Sequence, residues 1–238
     1  MQLHVHTPPE RLAPYVLLPG DPGRATFIAQ TFLDDAELTT DNRGLLGYTG
    51  SYRGVPVSVQ TTGMGCPSLA IVVEELIRLG AHTLVRVGTA GVVADRVVPG
   101  DLIVADASVP NDGTTRQYLA GAPYAPAPSF ATTRALVDAA TAHGGAHVGL
   151  IRTEDAFYAT APEDVPAMAA QGVLAVEMEA AALFVLGRLR SVRTGCMLVA
   201  SNRIGDPSFV EPEVLRSGVE RMVRAALDAF VALHETDA

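Results

Sequence analysis

Glu177 and Glu179 stand two residues apart in Val176-Glu-Met-Glu-Ala180, between the apolar stretches Gly172 to Val176 and Ala180 to Gly187. Ionised carboxylates are costly to bury without partners, so this pair in a core-like segment demands one. A sugar diol would serve, because it offers two adjacent hydroxyl donors. A carboxylate beside the sugar would also steady a developing oxocarbenium ion. A core arginine would satisfy the same carboxylates with no ligand.

Four other polar segments share one property with the glutamates: each follows an apolar run that reads as a strand. Pro19-Gly-Asp-Pro-Gly-Arg24 is a glycine-rich turn leading into a helix. Such a turn presents backbone N–H groups to an anion, and otherwise serves as a simple capped turn. Thr62-Gly-Met-Gly65 permits close backbone approach, with Met64 either against a ligand or in the core. In Arg86-Val-Gly-Thr-Ala-Gly91, an arginine at the end of an apolar strand must meet an anion or a carboxylate. Thr89 adds a hydroxyl donor there, and the spacing is not that of a dinucleotide fingerprint. Ser201-Asn202 offers neutral donors and acceptors suited to the edge of a base. Phe157, in Glu154-Asp-Ala-Phe-Tyr158, either stacks on that base or belongs to the core. Anion, sugar and base contacts together describe a nucleoside plus orthophosphate.

The composition narrows the chemistry further. All 17 basic residues are arginine. With no lysine, a Walker-type phosphate loop, a pyridoxal Schiff base and a lysine nucleophile are excluded. Arginine remains, and it grips oxyanions through paired hydrogen bonds. A net charge of -9 disfavours nonspecific nucleic-acid binding. Cys66 and Cys196 lie far apart without a His/Cys cluster, so they read as small core residues rather than a zinc site or a disulfide. Met1 to His6 lacks the pattern of a signal peptide, and charges interrupt every apolar run. The expectation is a soluble cytoplasmic protein.

The elements that position these residues alternate along the chain. Strands are predicted at Tyr15–Leu18, Val55–Thr61, Thr83–Val87, Asp101–Ala105, Val148–Arg152, Val173–Val176 and Gly195–Ala200. Helices are predicted at Arg24–Phe32, Ser68–Leu79, Thr132–His143, Glu163–Ala170, Ala180–Leu189 and Pro212–Leu233. Pro67 suits the first helical position and Gly80 a helix C-cap. Alternation of this kind over 238 residues, 48% of them hydrophobic, implies a single α/β domain, residues 1–238, over a mixed or parallel sheet. The Pro-, Gly- and Ala-rich segment from Pro110 to Pro128 reads as a surface excursion. In such sheets ligands bind beyond the carboxyl ends of strands, where all five polar segments are predicted to lie.

Leu18-Pro-Gly-Asp-Pro22 with Arg24, Asn42-Arg-Gly44 with Gly47, Gly63-Met-Gly65, Arg86-Val-Gly-Thr89, Phe157-Tyr158 and Val176-Glu-Met-Glu-Ala180 occur in order and at matching spacing. On these motifs, from about His4 to the last helix, the chain resembles the nucleoside phosphorylase family that contains bacterial hexameric purine nucleoside phosphorylase and uridine phosphorylase. The resemblance implies a three-layer α/β/α sandwich with a mixed, partly barrel-like central sheet. It assigns phosphate to the Gly20 amide, Arg24, Arg86 and Thr89, with Arg43 reaching in from a neighbouring subunit. Ribose falls to Glu179, the Met178 backbone and Met64. The 5′-hydroxyl falls to the neighbour's His4, with His6 as a nearby competitor. Phe157 and Val176 flank the base, with Glu177, Ser201 and Asn202 near its edge. Asn202, Glu179 and Arg86 carry the catalytic roles. The resemblance further implies no cofactor or metal, orthophosphate as co-substrate, and a trimer of dimers.

Two departures from the family shape the expected specificity. The Gln-x-Arg element that reads uracil is replaced by Ala159-Thr-Ala-Pro-Glu163. The aspartate that protonates purines in the commonest bacterial enzymes is Asn202 here, and Arg216 falls one residue out of register to support it. The expected activity is therefore phosphorolysis of 6-oxopurine ribonucleosides such as guanosine and inosine. The alternatives are a nucleoside hydrolase of the same superfamily, a uridine phosphorylase, and a non-catalytic nucleoside sensor.

Overall fold

A computed structural model describes residues 2–206 and 210–237. The strands are β1 Tyr15–Leu18, β2 Asp34–Thr40, β3 Gly47–Tyr52, β4 Val55–Gln60, β5 Thr83–Val92, β6 Leu102–Asn111, β7 His147–Glu154, β8 Ala175–Glu177 and β9 Arg193–Arg203. The helices are α1 Pro22–Phe32, α2 Cys66–Arg78, α3 Gly113–Tyr118, α4 Phe130–Thr141, α5 Val165–Ala170, α6 Ala180–Leu189 and α7 Pro212–Asp237.

The sheet runs in the order β2-β3-β4-β1-β5-β8-β7-β6-β9, and β5 also pairs with β9. Five strands, β5, β8, β7, β6 and β9, therefore close on themselves as a barrel, while β1 to β4 extend from it as an open flank. The ring is mixed: β5 runs parallel to β9, and β6 and β8 pair antiparallel with β9 and β5 respectively.

Alternation along the strands sorts the core into two layers. Val16, Leu18, Leu84, Cys196 and Leu198 pack with α2 and α6. Their neighbours Leu17, Val85, Val87, Met197 and Val199 face α1, α4 and α7 on the other side. The outcome is the expected three-layer sandwich. Both cysteines are buried and unpaired, and burial raises both thiol pKa values, Cys66 by desolvation aided by Asp112 and Glu177. Among the described residues, no helix is long and apolar enough to cross a membrane.

The elements missed by the sequence patterns are instructive. β2 and β3 form an antiparallel pair whose side chains are mostly exposed or half-buried, so no apolar alternation marks them. The Pro110–Pro128 excursion hides the end of β6 and the one-turn α3, which Asp112 caps at the Thr115 N–H. Pro67 is the second residue of α2, not the first. Gly80 takes φ +106° after α2 and closes it with bonds from its own N–H and that of Ala81 to Ile77 and Leu76.

Phe184, at the centre of α6, is fully buried against β5, β9 and α2. Phe184→Ala should lower stability by about 3–5 kcal/mol in urea titration. A loss below about 1 kcal/mol would show that α6 is not anchored by this side chain.

Candidate active site

One cavity of about 610 Å³ opens at the strand ends. It gathers twelve of the predicted residues: Gly20, Arg24, Met64, Arg86, Thr89, Phe157, Val176, Glu177, Met178, Glu179, Ser201 and Asn202. Arg43 and His4 lie outside it.

The centre is Arg86, on β5 and 5% exposed. Its Nε donates to Glu177 Oε2 at 2.8 Å, and its Nη2 donates to Glu179 Oε2 at 2.5 Å. Burial opposes its charge, but Glu179 and Glu177 outweigh that cost and raise its pKa. Gly88 makes the geometry possible: a Cβ there would lie 2.8 Å from Arg86 Nη2. Arg86 lies inside β5 and Ser201-Asn202 inside β9, because both strands run further than the sequence pattern indicated.

The two glutamates divide their roles. Glu177 Oε2 also accepts the N–H of Glu179 at 2.9 Å and of Ala180 at 3.0 Å, capping α6 from outside. Its Oε1 accepts Thr153 Oγ1 at 2.5 Å. Thr153 spends its one proton there, so Ser108 Oγ donates to Thr153 across 2.7 Å. With four donor groups, Glu177 is saturated and holds Arg86 and α6 rather than reading a base edge. Among the described residues Glu179 accepts Arg86 and the Gly65 N–H at 2.5 Å, with the Met178 backbone N–H close by. Acceptor capacity therefore remains on its oxygens for a diol. Burial raises its pKa, with Glu177 adding and Arg86 opposing. The pair thus meets both sequence-level alternatives: Glu177 is the carboxylate on a core arginine, and Glu179 is the one left for a ligand.

Arg24 approaches the same end of the cavity. Its Nη1 contacts the Val87 carbonyl at 3.5 Å, and among the described residues it forms no ion pair. Burial lowers its pKa, and the positive charge of Arg86 lowers it further. Two like charges held together call for an anion between them. Gly20 and Thr89 line the cavity with them, and Asp21 caps α1 at the N–H groups of Gly23 and Arg24.

Phe157, also in the cavity wall, is 61% exposed and meets Tyr158 edge-on at 5.0 Å, so the aromatic pair is not core. Met64 is 84% exposed. Ala90 pairs with Ala200 and Gly91 with Asn202, which makes Ser201 an extra residue in β9. This β-bulge breaks the alternation and re-aims the two polar side chains. Ser201 Oγ lies 3.0 Å from Asn202 Oδ1 and 3.2 Å from the Ala90 carbonyl, and among the described residues the Asn202 carboxamide nitrogen has a 3.4 Å contact with the Arg203 carbonyl. Arg216 pairs instead with Glu213 at 3.6 Å on the exposed face of α7.

The Phosphorylase superfamily profile matches residues 14–232. The chain belongs to the phosphorylase superfamily. A Clostridium perfringens relative named purine nucleoside phosphorylase DeoD-type is 39% identical over 235 residues, covering 98% of this chain and all of the relative. Relatives of the same name from Bacillus cereus strain ZK and Bacillus thuringiensis strain Al Hakam are 39% and 38% identical over 233 residues, covering 97% of this chain and 99% of each relative. The superfamily's mixed, closed sheet is the barrel that carries Arg86 and Asn202.

His4 and Arg43 form a separate patch. Glu75 accepts the N–H groups of His4 and Val5 at 2.9 and 2.7 Å and meets His4 Nδ1 at 2.8 Å. Burial raises the Glu75 pKa, but these bonds from Val5 and His4 prevail and lower it. Asn42 Nδ2 bonds the His4 carbonyl at 3.0 Å, tying the N-terminal segment to the turn that presents Arg43. Arg43 is exposed and holds φ 55°, a left-handed conformation that costs a non-glycine residue about 1–2 kcal/mol.

Sequence reasoning passed over Glu154, Thr160 and Ile204, which also line the cavity. Glu154 carried the available signal: it is the last residue of β7, at the strand end where ligands bind.

Removing Glu177 would leave a buried guanidinium with one of its two carboxylates and uncap α6. Glu177→Ala should cost about 3–5 kcal/mol of stability, read by chemical denaturation. A loss under about 1 kcal/mol would show that Glu179 alone holds Arg86.

Proposed function

We propose that the chain is a purine nucleoside phosphorylase that cleaves purine ribonucleosides to free base and ribose 1-phosphate, preferring 6-oxopurines. The observation that carries this reading is the pair of neighbouring guanidiniums, Arg24 and Arg86, in the cavity wall, with Glu179 bonded to Arg86 in the same wall. Orthophosphate is the co-substrate; neither cofactor nor metal takes part.

In this mechanism Glu179 accepts the 2′- and 3′-hydroxyls. The glycosidic bond stretches first, and the sugar gains oxocarbenium character. Phosphate, held by Arg24, Arg86, Thr89 and the Gly20 amide, stabilises that cation and attacks the anomeric carbon. Negative charge passes to the purine, where the Asn202 carboxamide donates a hydrogen bond. Catalysis rests on positioning and electrostatics. A hydrolase would not need the arginine pair. Release of hypoxanthine from inosine should therefore require orthophosphate, and equal release in phosphate-free buffer would place the protein with the hydrolases.

The assembly in this reading is a cytoplasmic trimer of dimers with sites shared across each dimer. Its support is the pinned patch of His4 and Arg43 outside the chain's own cavity, and the left-handed strain kept at Arg43. Arg43→Ala should weaken use of phosphate without loss of fold. Mixed with inactive Glu179→Ala protein under subunit exchange, it should regain activity at low phosphate, because one site per mixed dimer is intact. Mixed dimers that form and stay inactive would rule out sharing.

Base preference follows from Asn202. A leaving adenine must gain a proton at N7, and an asparagine does not titrate. In a 6-oxopurine the charge spreads to O6 and N7, which an amide donor can stabilise. Guanosine and inosine should outpace adenosine. Asn202→Asp should raise adenosine turnover by about tenfold, short of the roughly 10²–10⁴ that general acid catalysis reaches, because Arg216 is paired with Glu213. Adenosine cleaved by the native protein as fast as inosine would overturn this role.

A further inference from the structure

Glu154 is the one acidic side chain at the cavity that the mechanism leaves unused beside the saturated Glu177, the diol-facing Glu179 and the helix cap Asp21. It ends β7, its side chain is 12% exposed, and it forms part of the wall between the main cavity and an adjoining one of about 250 Å³. Arg152 Nε donates to its Oε1, and Asn111 Nδ2 donates to its Oε2 at 2.5 Å. A carboxylate has about four acceptor positions. Among the described residues one donor meets each oxygen, which leaves one acceptor position on each.

The barrel places this carboxylate opposite Asn202. Asn202 pairs with Gly91, Gly91 with Val176, and Val176 with Arg152, two residues before Glu154. On the closed ring the strands that carry Asn202 and Glu154 are three steps apart through β5 and β8 and two through β6, and both residues line the cavity. Phe157 lines the same cavity. A purine presented to Asn202 by N7 and O6 turns its far edge, N1 and C2, towards the other flank.

We propose that Glu154 is a specificity-determining residue that accepts hydrogen bonds from purine N1–H and, in guanine, from the 2-amino group. The proposal rests on the purine phosphorylase reading and deepens it. Guanine offers two donors in a row to the two free acceptor positions. Hypoxanthine offers one. Adenine offers at N1 a lone pair, which faces the carboxylate unfavourably. A site built to bond a donor rejects the analogue that lacks it. Arg152 offsets the charge of Glu154, so the carboxylate does not oppose the negative charge that builds on the leaving purine.

The test compares kcat/KM for guanosine, inosine and adenosine in phosphate buffer. Native protein should rank guanosine above inosine above adenosine. A hydrogen bond to a charged acceptor is worth about one to two decades. Glu154→Gln should therefore lower guanosine kcat/KM about tenfold to a hundredfold and narrow the guanosine-to-inosine ratio, a ratio Asn202 cannot set because it does not reach C2. It should also raise adenosine kcat/KM, since the carboxamide can donate to N1. Glu154→Ala frees Arg152 and carries a folding risk; Glu154→Gln retains acceptor and donor shape, so it decides the matter alone. A purely structural role would lower all three substrates together, and that pattern, or ratios within about twofold of native, would overturn the proposal. Native protein that cleaves no purine nucleoside with phosphate would overturn the phosphorylase reading instead. In that case calorimetry with free guanine and adenine still tests Glu154: guanine preference lost in Glu154→Gln supports it, and equal binding by the native protein refutes it.

Discussion

A guanidinium buried between two carboxylates is the interaction on which this molecule turns. Arg86 from β5 meets Glu177 at the end of β8 and Glu179 at the start of α6, and Glu179 reaches on to the first turn of α2. Taking such charges out of water is expensive, and attraction repays it only when geometry and extra hydrogen bonds are complete. For Glu177 they are complete, through Thr153, Ala180 and the Glu179 N–H, while Gly65 secures Glu179 and leaves it acceptor capacity for a ligand. The triad therefore fixes one strand, one strand end and two helix starts relative to each other.

That structural task and the chemical one use the same atoms. Arg86 is pre-set by Glu177, so little reorganisation remains when an anion arrives. Arg24, by contrast, forms no ion pair among the described residues, and its proximity to Arg86 makes the shared space favourable to negative charge. The cavity is thus electrostatically unbalanced in the ligand's favour at one end. Glu179, with its pKa raised by burial, places a strong acceptor at the middle.

The barrel supplies the rest. An open sheet would leave β9 at an edge, far from β8 in strand order. Closure through β5–β9 brings Asn202 to the same rim as Val176 and Glu154. The Ser201 bulge then breaks the alternation, so that two adjacent polar residues serve one cavity.

Much of this was legible in the chain itself. Continuous apolar runs marked the strands that both layers cover, from Tyr15–Leu18 to Gly195–Ala200, because burial on two faces leaves no polar alternation. That signal failed at β2 and β3, whose exposed faces impose no such run. The polar residues stood out because charge and glycine are anomalous at apolar strand ends, so Arg86, Glu179 and Asn202 declared themselves before any fold was known. Partnership did not. Periodicity states which face a side chain takes, but not which strand will lie across from it once a sheet closes. Hence only the tertiary structure decided that Glu177 is spent on Arg86 and α6, that Phe157 stands in the open, and that Glu154 faces the cavity from β7. The bonds that Arg86 and Thr153 make to Glu177 join residues 91 and 24 positions apart, which no local pattern encodes.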